Sequence, residues 1–491
     1  MESGYGILKF LVPQVPSLAN TAVWHTLGRT PTSSKWNLQT AMTVQVLRAM
    51  MSGKPTPIGK VQATTLKDPG VSGKMWVATA KVPAPGPDEE GVREAVFQAI
   101  DDMKVEGAPE PNYTKPQLVD VEVEWTGFRP GAAKGEKPPE ISETEKYKRL
   151  MEEPTRMSET TILYFHGGAY YLCDPSTHRA LCSRLAKESK GRVCSVRYRL
   201  APQTAFPGQL LDALMVYLSL LYPPAGSMHD AIPAKDIVLS GDSAGGNLAF
   251  ALLQLLLQLH RSSPNQTPTV RFHGQTVEVP LPAGCSANSG WFDICRAMPS
   301  ISSNAAYDYL PQASHDDPLT SRFPADSAWP CNPPRGDIFC DLSLLDHPLT
   351  SVLAAQTWAN SPPLWMCTGQ EMLTDEDLIV ASRVAQDGVK VRLEVYEAMP
   401  HCFSMLLPSL ASSDKCLRSL GVWCRRCVEE PEGLKTEGTW TAAKTGEEKS
   451  VVVQDVGPIT AEEARSLMAL IRERRGEAFE RGDRATPKSA L

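Results

Sequence analysis

Gly241-Asp242-Ser243-Ala244-Gly245 sets a serine in the spacing G-x-S-x-G. A serine hydroxyl is a weak nucleophile until an adjacent base takes its proton. The pattern therefore matters only where the chain presents that oxygen to such a base. Upstream, Asp236-Ile237-Val238-Leu239 is a short, mainly apolar run that reads as a buried strand. Downstream, Asn247 to His260 carries seven leucines and Phe250 on all sides, the pattern of a buried helix. Strand, tight turn and helix would hold Ser243 Oγ at the strand's C-terminal end. The helix N-terminus there offers unpaired N–H groups and a partial positive charge.

The other groups that acyl transfer requires follow by type and order. Thr161 to Phe165 reads as a second apolar strand and runs directly into His166-Gly167-Gly168-Ala169-Tyr170. Two glycines after a strand let backbone N–H groups approach a bound group closely. With the N–H of Ala244 they would hold a tetrahedral oxyanion. The base and acid are expected downstream, in the order serine, acid, histidine. Of the nine histidines, His260, His273, His315, His347 and His401 follow Ser243. His401 is the best placed. Val389, Val391, Leu393 and Val395 alternate as a strand, and Glu397 to Pro400 turn the chain into His401. His347, in Asp346-His347-Pro348-Leu349, reads as a helix start or a residue packed beneath a loop. Pro362 to Cys367 reads as a further strand, and the loop after it brings Glu371, Asp375 and Glu376 within reach of the base.

At this point the chain resembles the hormone-sensitive-lipase-like branch of the α/β-hydrolases. The matching pieces are H-G-G-A-Y at 166–170, D-P-S-T-H-R at 174–179, Y-R-L-A-P at 198–202 with Phe206-Pro207 and Asp212, G-D-S-A-G-G at 241–246 and M-P-H-C-F at 399–403. The resemblance spans roughly residues 30–425 and is densest from 160 to 405. It implies an α/β fold: a mostly parallel central sheet with helices on both faces and a helical cap. It also implies a carboxylic ester hydrolase that forms an acyl-enzyme. The family's acid loop, G-x-x-D-x-L-x-D-E, is matched only when anchored on Leu373 and Asp375-Glu376. That register puts the acid on Glu371, with Asp375 as the alternative. The oxyanion donors it implies are Gly167, Gly168 and Ala244, although Ala169 stands where many members carry a third glycine.

The elements that must position these groups are spread over 491 residues, more than one core of usual size but within reach of such a fold with a cap. Residues 1–60 read as N-terminal cap helices, with Ser34 a helix cap and Leu38, Met42, Val46 and Met50 a packing stripe. Residues 61–430 form the catalytic domain, with early strands at Lys74–Val82 and Val119–Trp125 around a helix at Val92–Met103. Residues 129–143 read as an exposed loop. The proline-rich stretch 296–340 would be the second half of the cap. Residues 431–491 read as a polar linker and an amphipathic helix opened by a capping box at Thr460–Glu463, with Arg472, Arg474 and Arg475 on a solvated face.

The net charge of −7 offers no electrostatic case for nucleic acid or anionic lipid. The 12 cysteines lie largely among apolar strands, and Cys424-Arg425-Arg426-Cys427 reads as two helix cysteines, so a reducing, cytoplasmic setting is expected. Gly6 to Val12 is apolar but broken by Pro13 and Pro16. It is too short to span a membrane and offers, at most, contact with an intracellular membrane or lipid surface. No metal or cofactor is called for, and the expected partner is a small-molecule acyl substrate. The same machinery would also serve an amide, a lactone or an acetylated metabolite. A ligand-binding receptor on a dead hydrolase fold is the remaining reading, and the presence of both Ser243 and His401 speaks against it.

Overall fold

The computed structural model describes residues 12–51, 55–86, 88–313, 315–316 and 323–485. Gly6 to Leu11, read above as a lipid contact, lie outside them. Twelve strands occur among the described residues: Met75–Val82 (β1), Val121–Phe128 (β2), Thr161–Phe165 (β3), Arg192–Val196 (β4), Ile237–Ser243 (β5), Thr269–Phe272 (β6), Gln275–Glu278 (β7), Gly284–Gly290 (β8), Leu364–Gly369 (β9), Val391–Tyr396 (β10), Glu437–Thr441 (β11) and Glu448–Val451 (β12). Ten of them make one sheet in the order β1-β2-β4-β3-β5-β8-β9-β10-β11-β12, and β6 and β7 form a separate hairpin. From β4 to β11 every neighbour is parallel; β1, β2 and β12 join antiparallel. β3 and β9, in the middle of the parallel run, are buried along their whole length and mainly apolar because both of their faces are covered.

The helices that bear on the site are Val15–Thr26 (α1), Leu38–Met51 (α2), Pro175–Ser189 (α3), Gly208–Leu221 (α4), Ala244–Ser262 (α5), Thr374–Gln386 (α6), Ala411–Glu429 (α7) and Ala461–Ala485 (α8). Alternation along β3 shows how the layers arise. Leu163 and Phe165 enter one core with α4, α5 and α6, while Ile162 and Tyr164 enter the other with α3 and α7. The all-apolar pattern of α5 is explained by burial: Ala244 to Leu257 are buried without a break.

Four local expectations differ from the structure. Helix α2 starts after Asn37, whose side-chain oxygen takes the Thr40 N–H at 2.8 Å, so Asn37 rather than Ser34 is the cap. Its buried face is Thr40, Ala41 and Val44; Leu38 and Met50 of the expected stripe are exposed. The described part of the 296–340 insertion is not helical beyond Ser300–Ser303 and the turn Ala305–Tyr307, since its prolines remove the N–H groups a helix needs. Residues 431–460 are not a plain linker either. Within them β11 pairs in parallel with β10 and extends the sheet, because Trp440 and Val453 supply apolar contacts to the core.

Candidate active site

Strand order delivers the chemistry to one edge. β3, β5, β9 and β10 are parallel, so their C-terminal ends emerge together. There β3 runs into His166-Gly167, β5 ends on Ser243, β9 leads to Glu371 and β10 leads to His401. This is where an open parallel sheet gathers ligands.

Ser243 has φ 52° and ψ −123°, a conformation that L-residues rarely adopt. The surrounding packing enforces it. A Cβ on Gly245 would stand 2.0 Å from the Phe165 carbonyl oxygen, and one on Gly241 would stand 2.3 Å from the backbone of Gly245. Only glycine lets the strand and helix meet so closely at this turn.

Ser243 Oγ lies 2.9 Å from His401 Nε2, and His401 Nδ1 lies 2.8 Å from Glu371 Oε1. Glu371 is fully buried, and its second oxygen accepts the Ser289 hydroxyl at 2.9 Å. Ser289 Oγ in turn takes the Cys402 N–H, which steadies the histidine loop. Burial alone would lower the His401 pKa; the Glu371 carboxylate outweighs it and leaves the imidazole above its ordinary value. Burial raises the Glu371 pKa, and His401 offsets part of that. Such a chain can draw a proton from the serine and stabilise the resulting imidazolium.

Asp375 is not on the histidine. Its Oδ2 accepts the Ser300 N–H at 2.8 Å, so it ties the insertion to the acid loop instead. His347 is buried against the Ile100 carbonyl at 3.0 Å, and its burial drops its pKa to about 4.

The oxyanion donors need a correction. The Gly167 N–H is turned beneath the loop and donates to Asp242 Oδ1 at 3.0 Å. The N–H groups of Gly168 and Ala169 make no hydrogen bond within the described residues, and that of Ala244 opens α5. The displacement has a cause the residue pattern does not carry: Asp242 is held below the turn by Tyr164 Oη at 2.6 Å and by His178 Nε2 at 3.3 Å. The His178 contact becomes an ion pair when the imidazole is protonated. Burial would raise the Asp242 pKa, but His178 and Tyr164 overcome it and hold it at about 2. His178 is raised in return, against its own burial.

Two groups at the site went unread in the sequence. Buried Asp308, in the insertion, accepts the N–H groups of His401 (3.3 Å), Met372 (2.8 Å), Tyr309 (2.7 Å) and Leu310 (3.3 Å). It therefore joins the acid loop, the histidine loop and the cap. No periodicity or motif marks it, because the partners that matter to the site, the N–H groups of Met372 and His401, lie 64 and 93 residues away. The second is Arg475 of α8, expected on a solvated face. It is largely buried, ion-paired with Asp337, and faces the same cavity as Ser243. That cavity, of about 180 Å³, is otherwise walled mainly by apolar side chains including Tyr171, Trp291, Leu310, Phe323, Ile338 and Phe339. Among the described residues no group of three or more His, Cys, Asp or Glu side chains is placed to hold a metal ion.

Comparison with known proteins agrees with this architecture. Residues 162–405 match a family described as having the alpha/beta hydrolase fold. An acetyl-hydrolase of Streptomyces hygroscopicus is 27% identical over 282 residues, covering 57% of this chain and 80% of that protein. An esterase of Acinetobacter venetianus is 29% identical over 245 residues, covering 50% and 67%. Among solved structures, EstE5 superposes with a TM-score of 0.53 at 19% identity, over 80% of this chain and all of the other. A hormone-sensitive lipase from a metagenome library gives 0.50 at 23% identity, over 78% and 97%.

Proposed function

Starting from a chain of the α/β-hydrolase fold that resembles the hormone-sensitive-lipase family of esterases, we propose that it is a carboxylic ester hydrolase working through Ser243, His401 and Glu371. The observation that carries the reading is the unbroken contact from Ser243 Oγ to His401 Nε2 at 2.9 Å and from His401 Nδ1 to Glu371 Oε1 at 2.8 Å.

In the first step His401 takes the Ser243 proton as Oγ attacks the ester carbonyl. The oxyanion forms against the N–H groups of Gly168, Ala169 and Ala244. Each such donor is worth roughly 10²–10³ in rate. His401 then gives its proton to the leaving alcohol, and the acyl group stays on Ser243. Water enters, His401 takes one of its protons as the water oxygen attacks the acyl carbonyl, and the imidazolium returns that proton to Ser243 Oγ as the acyl–Oγ bond breaks, releasing the acid and the free serine. Glu371 remains ionised and holds the imidazole tautomer. A cavity of about 180 Å³ is close to one that holds benzene in another protein, at about 150 Å³, and suits a short acyl group.

The test is Ser243→Ala assayed with p-nitrophenyl butyrate, alongside labelling by a fluorophosphonate probe. The variant is expected to fold, to take up no probe and to lose about 10³–10⁶-fold in turnover. A variant that keeps more than a tenth of the wild-type rate removes Ser243 from the mechanism.

A further inference from the structure

The net charge of −7 conceals an uneven distribution. Residues 3–67 contain seven cations, Lys9, Arg29, Lys35, Arg48, Lys54, Lys60 and Lys67, and no acidic residue. Two of these are committed within the fold, Lys35 to Glu397 and Arg48 to the carbonyls of Ala305, Ala306 and Asp308. The Asp308 carboxylate also acts on Arg48. Arg29 is exposed, its guanidinium 5.6 Å from the ring of Trp24, and Lys60 is also exposed.

The same stretch concentrates exposed apolar surface. Of twelve large apolar side chains exposed among the described residues, eight lie between Val15 and Leu66. Helix α1 is the extreme case. Its sequence V-P-S-L-A-N-T-A-V-W-H-T holds no acidic, lysine or arginine residue, and only His25 is buried. A solvated surface helix ordinarily carries charge on its outer face. Here that face carries Val23 and Trp24, 54% and 40% exposed, and Leu27, 59% exposed, follows one turn after Val23. Met50 and Met51, at the end of α2, are exposed as well, and Met51 also lines the cavity that holds Ser243.

We propose that helix α1 and the end of helix α2 form a docking face for an anionic lipid surface. Val23, Trp24 and Leu27 would enter the headgroup–acyl boundary, and Arg29 would meet the lipid phosphates. The charge decides the occupant. An apolar face alone would suit a second copy or a protein partner equally well, but exposed Arg29 beside Trp24, in a stretch of 65 residues that contributes no carboxylate of its own, is complementary to a negative surface. A tryptophan with an adjacent arginine suits such a boundary, since the ring is amphipathic and the cation stays at headgroup level. Docking there would also place Met51, and with it the cavity, close to the lipid. No helix among the described residues is long and apolar enough to cross a membrane, so the contact is one of lying on the surface.

The experiment is co-sedimentation of the full chain with phosphatidylserine–phosphatidylcholine vesicles and with vesicles of phosphatidylcholine alone. Wild type is expected to sediment with the anionic vesicles, less with the neutral ones, and to be released by added salt. Trp24→Ser with Leu27→Ser, and separately Arg29→Gln, are expected to weaken partitioning by about tenfold or more and severalfold, respectively. Both should leave hydrolysis of dissolved p-nitrophenyl butyrate unchanged, which separates this face from the site chemistry. Wild type that fails to sediment overturns the proposal. So does sedimentation that neither variant reduces, which would put the contact on another surface. A dimer in light scattering that the Trp24/Leu27 variant dissolves, without vesicle binding, would assign the face to a second copy instead.

Discussion

At the residue scale the identity of the acid is the sharpest question, and the geometry makes it measurable. Glu371→Gln removes the anion that stabilises the imidazolium and permits the wrong tautomer; a comparable change in another triad costs about 10⁴ in rate. Asp375→Asn disturbs the contact with Ser300 rather than the histidine. It is expected to cost less than tenfold in kcat for p-nitrophenyl butyrate, and a larger loss than from Glu371→Gln would reverse the assignment. The acid limb of kcat/KM provides a second reading. His401 works as a base only when neutral, and its pKa is raised from 6.5, so activity should rise with pH through a midpoint above 6.5. The groups acting on the imidazole are Glu371, Asp308 and Asp242, with Tyr309 packed beside it. Asp308→Asn removes one of those charges and places an amide donor against a backbone N–H. The limb is expected to move to lower pH and kcat to fall, while Asp308→Glu restores the limb's position.

At the element scale, the C-terminal helix α8 belongs to the pocket wall. Arg472 pairs with buried Asp346 and Arg475 with Asp337, so one helix face is anchored to the loops that enclose the cavity. An amphipathic helix read alone shows which residues share a face but not which neighbour will neutralise them. Arg475→Ala should open the cavity and free Asp337. We expect the ratio of kcat/KM for p-nitrophenyl octanoate over acetate to rise severalfold, since each buried methylene is worth about 0.8 kcal/mol. An unchanged ratio would place Arg475 outside the acyl path. The insertion behaves similarly. Its prolines forbid long helices, and it gains a fixed shape instead from Asn304 and Ser300, which donate to acid-loop carbonyls, and from Asp308, which accepts the Met372 N–H.

At the scale of the whole molecule, the buried Asp242–His178 pair ties the central strand β5 to α3 beneath the active edge. Its pH dependence follows from the two shifts. Asp242 is depressed from 3.8 to about 2, so its share of stability is present above 3.8 and is lost as pH falls towards 2. His178 is raised from 6.5, so its share is full below 6.5 and is lost as pH rises through the folded value. The pair therefore contributes most between about pH 4 and 6.5. His178→Gln leaves a buried carboxylate without its cation, a defect typically costing roughly 3–5 kcal/mol. The thermal midpoint of this variant should fall furthest below wild type near pH 5.5, and the gap should narrow at alkaline pH. A gap that is constant with pH would show that His178 is neutral in the fold.

Local chemistry in the sequence determined much of this protein. Apolar runs at 161–165, 237–239 and 364–367 become strands because a strand buried on both faces must be apolar. Gly241 and Gly245 mark the turn at Ser243 because no larger residue fits there. His401 could be picked from nine histidines by its place after a strand. Tertiary structure decided what depends on groups far apart in the chain. Asp242 takes the Gly167 N–H across 75 residues and so occupies a donor that the residue pattern alone leaves free. Residues 437–441 look polar and linker-like, yet they form a strand because the edge of β10 offers unpaired backbone groups. Arg475 looks solvated until Asp337 meets it across 138 residues. Periodicity and turn chemistry are local and can be read along the chain. The partner of a buried charge or a backbone N–H is set by the packing of the whole sheet, which no window of sequence contains.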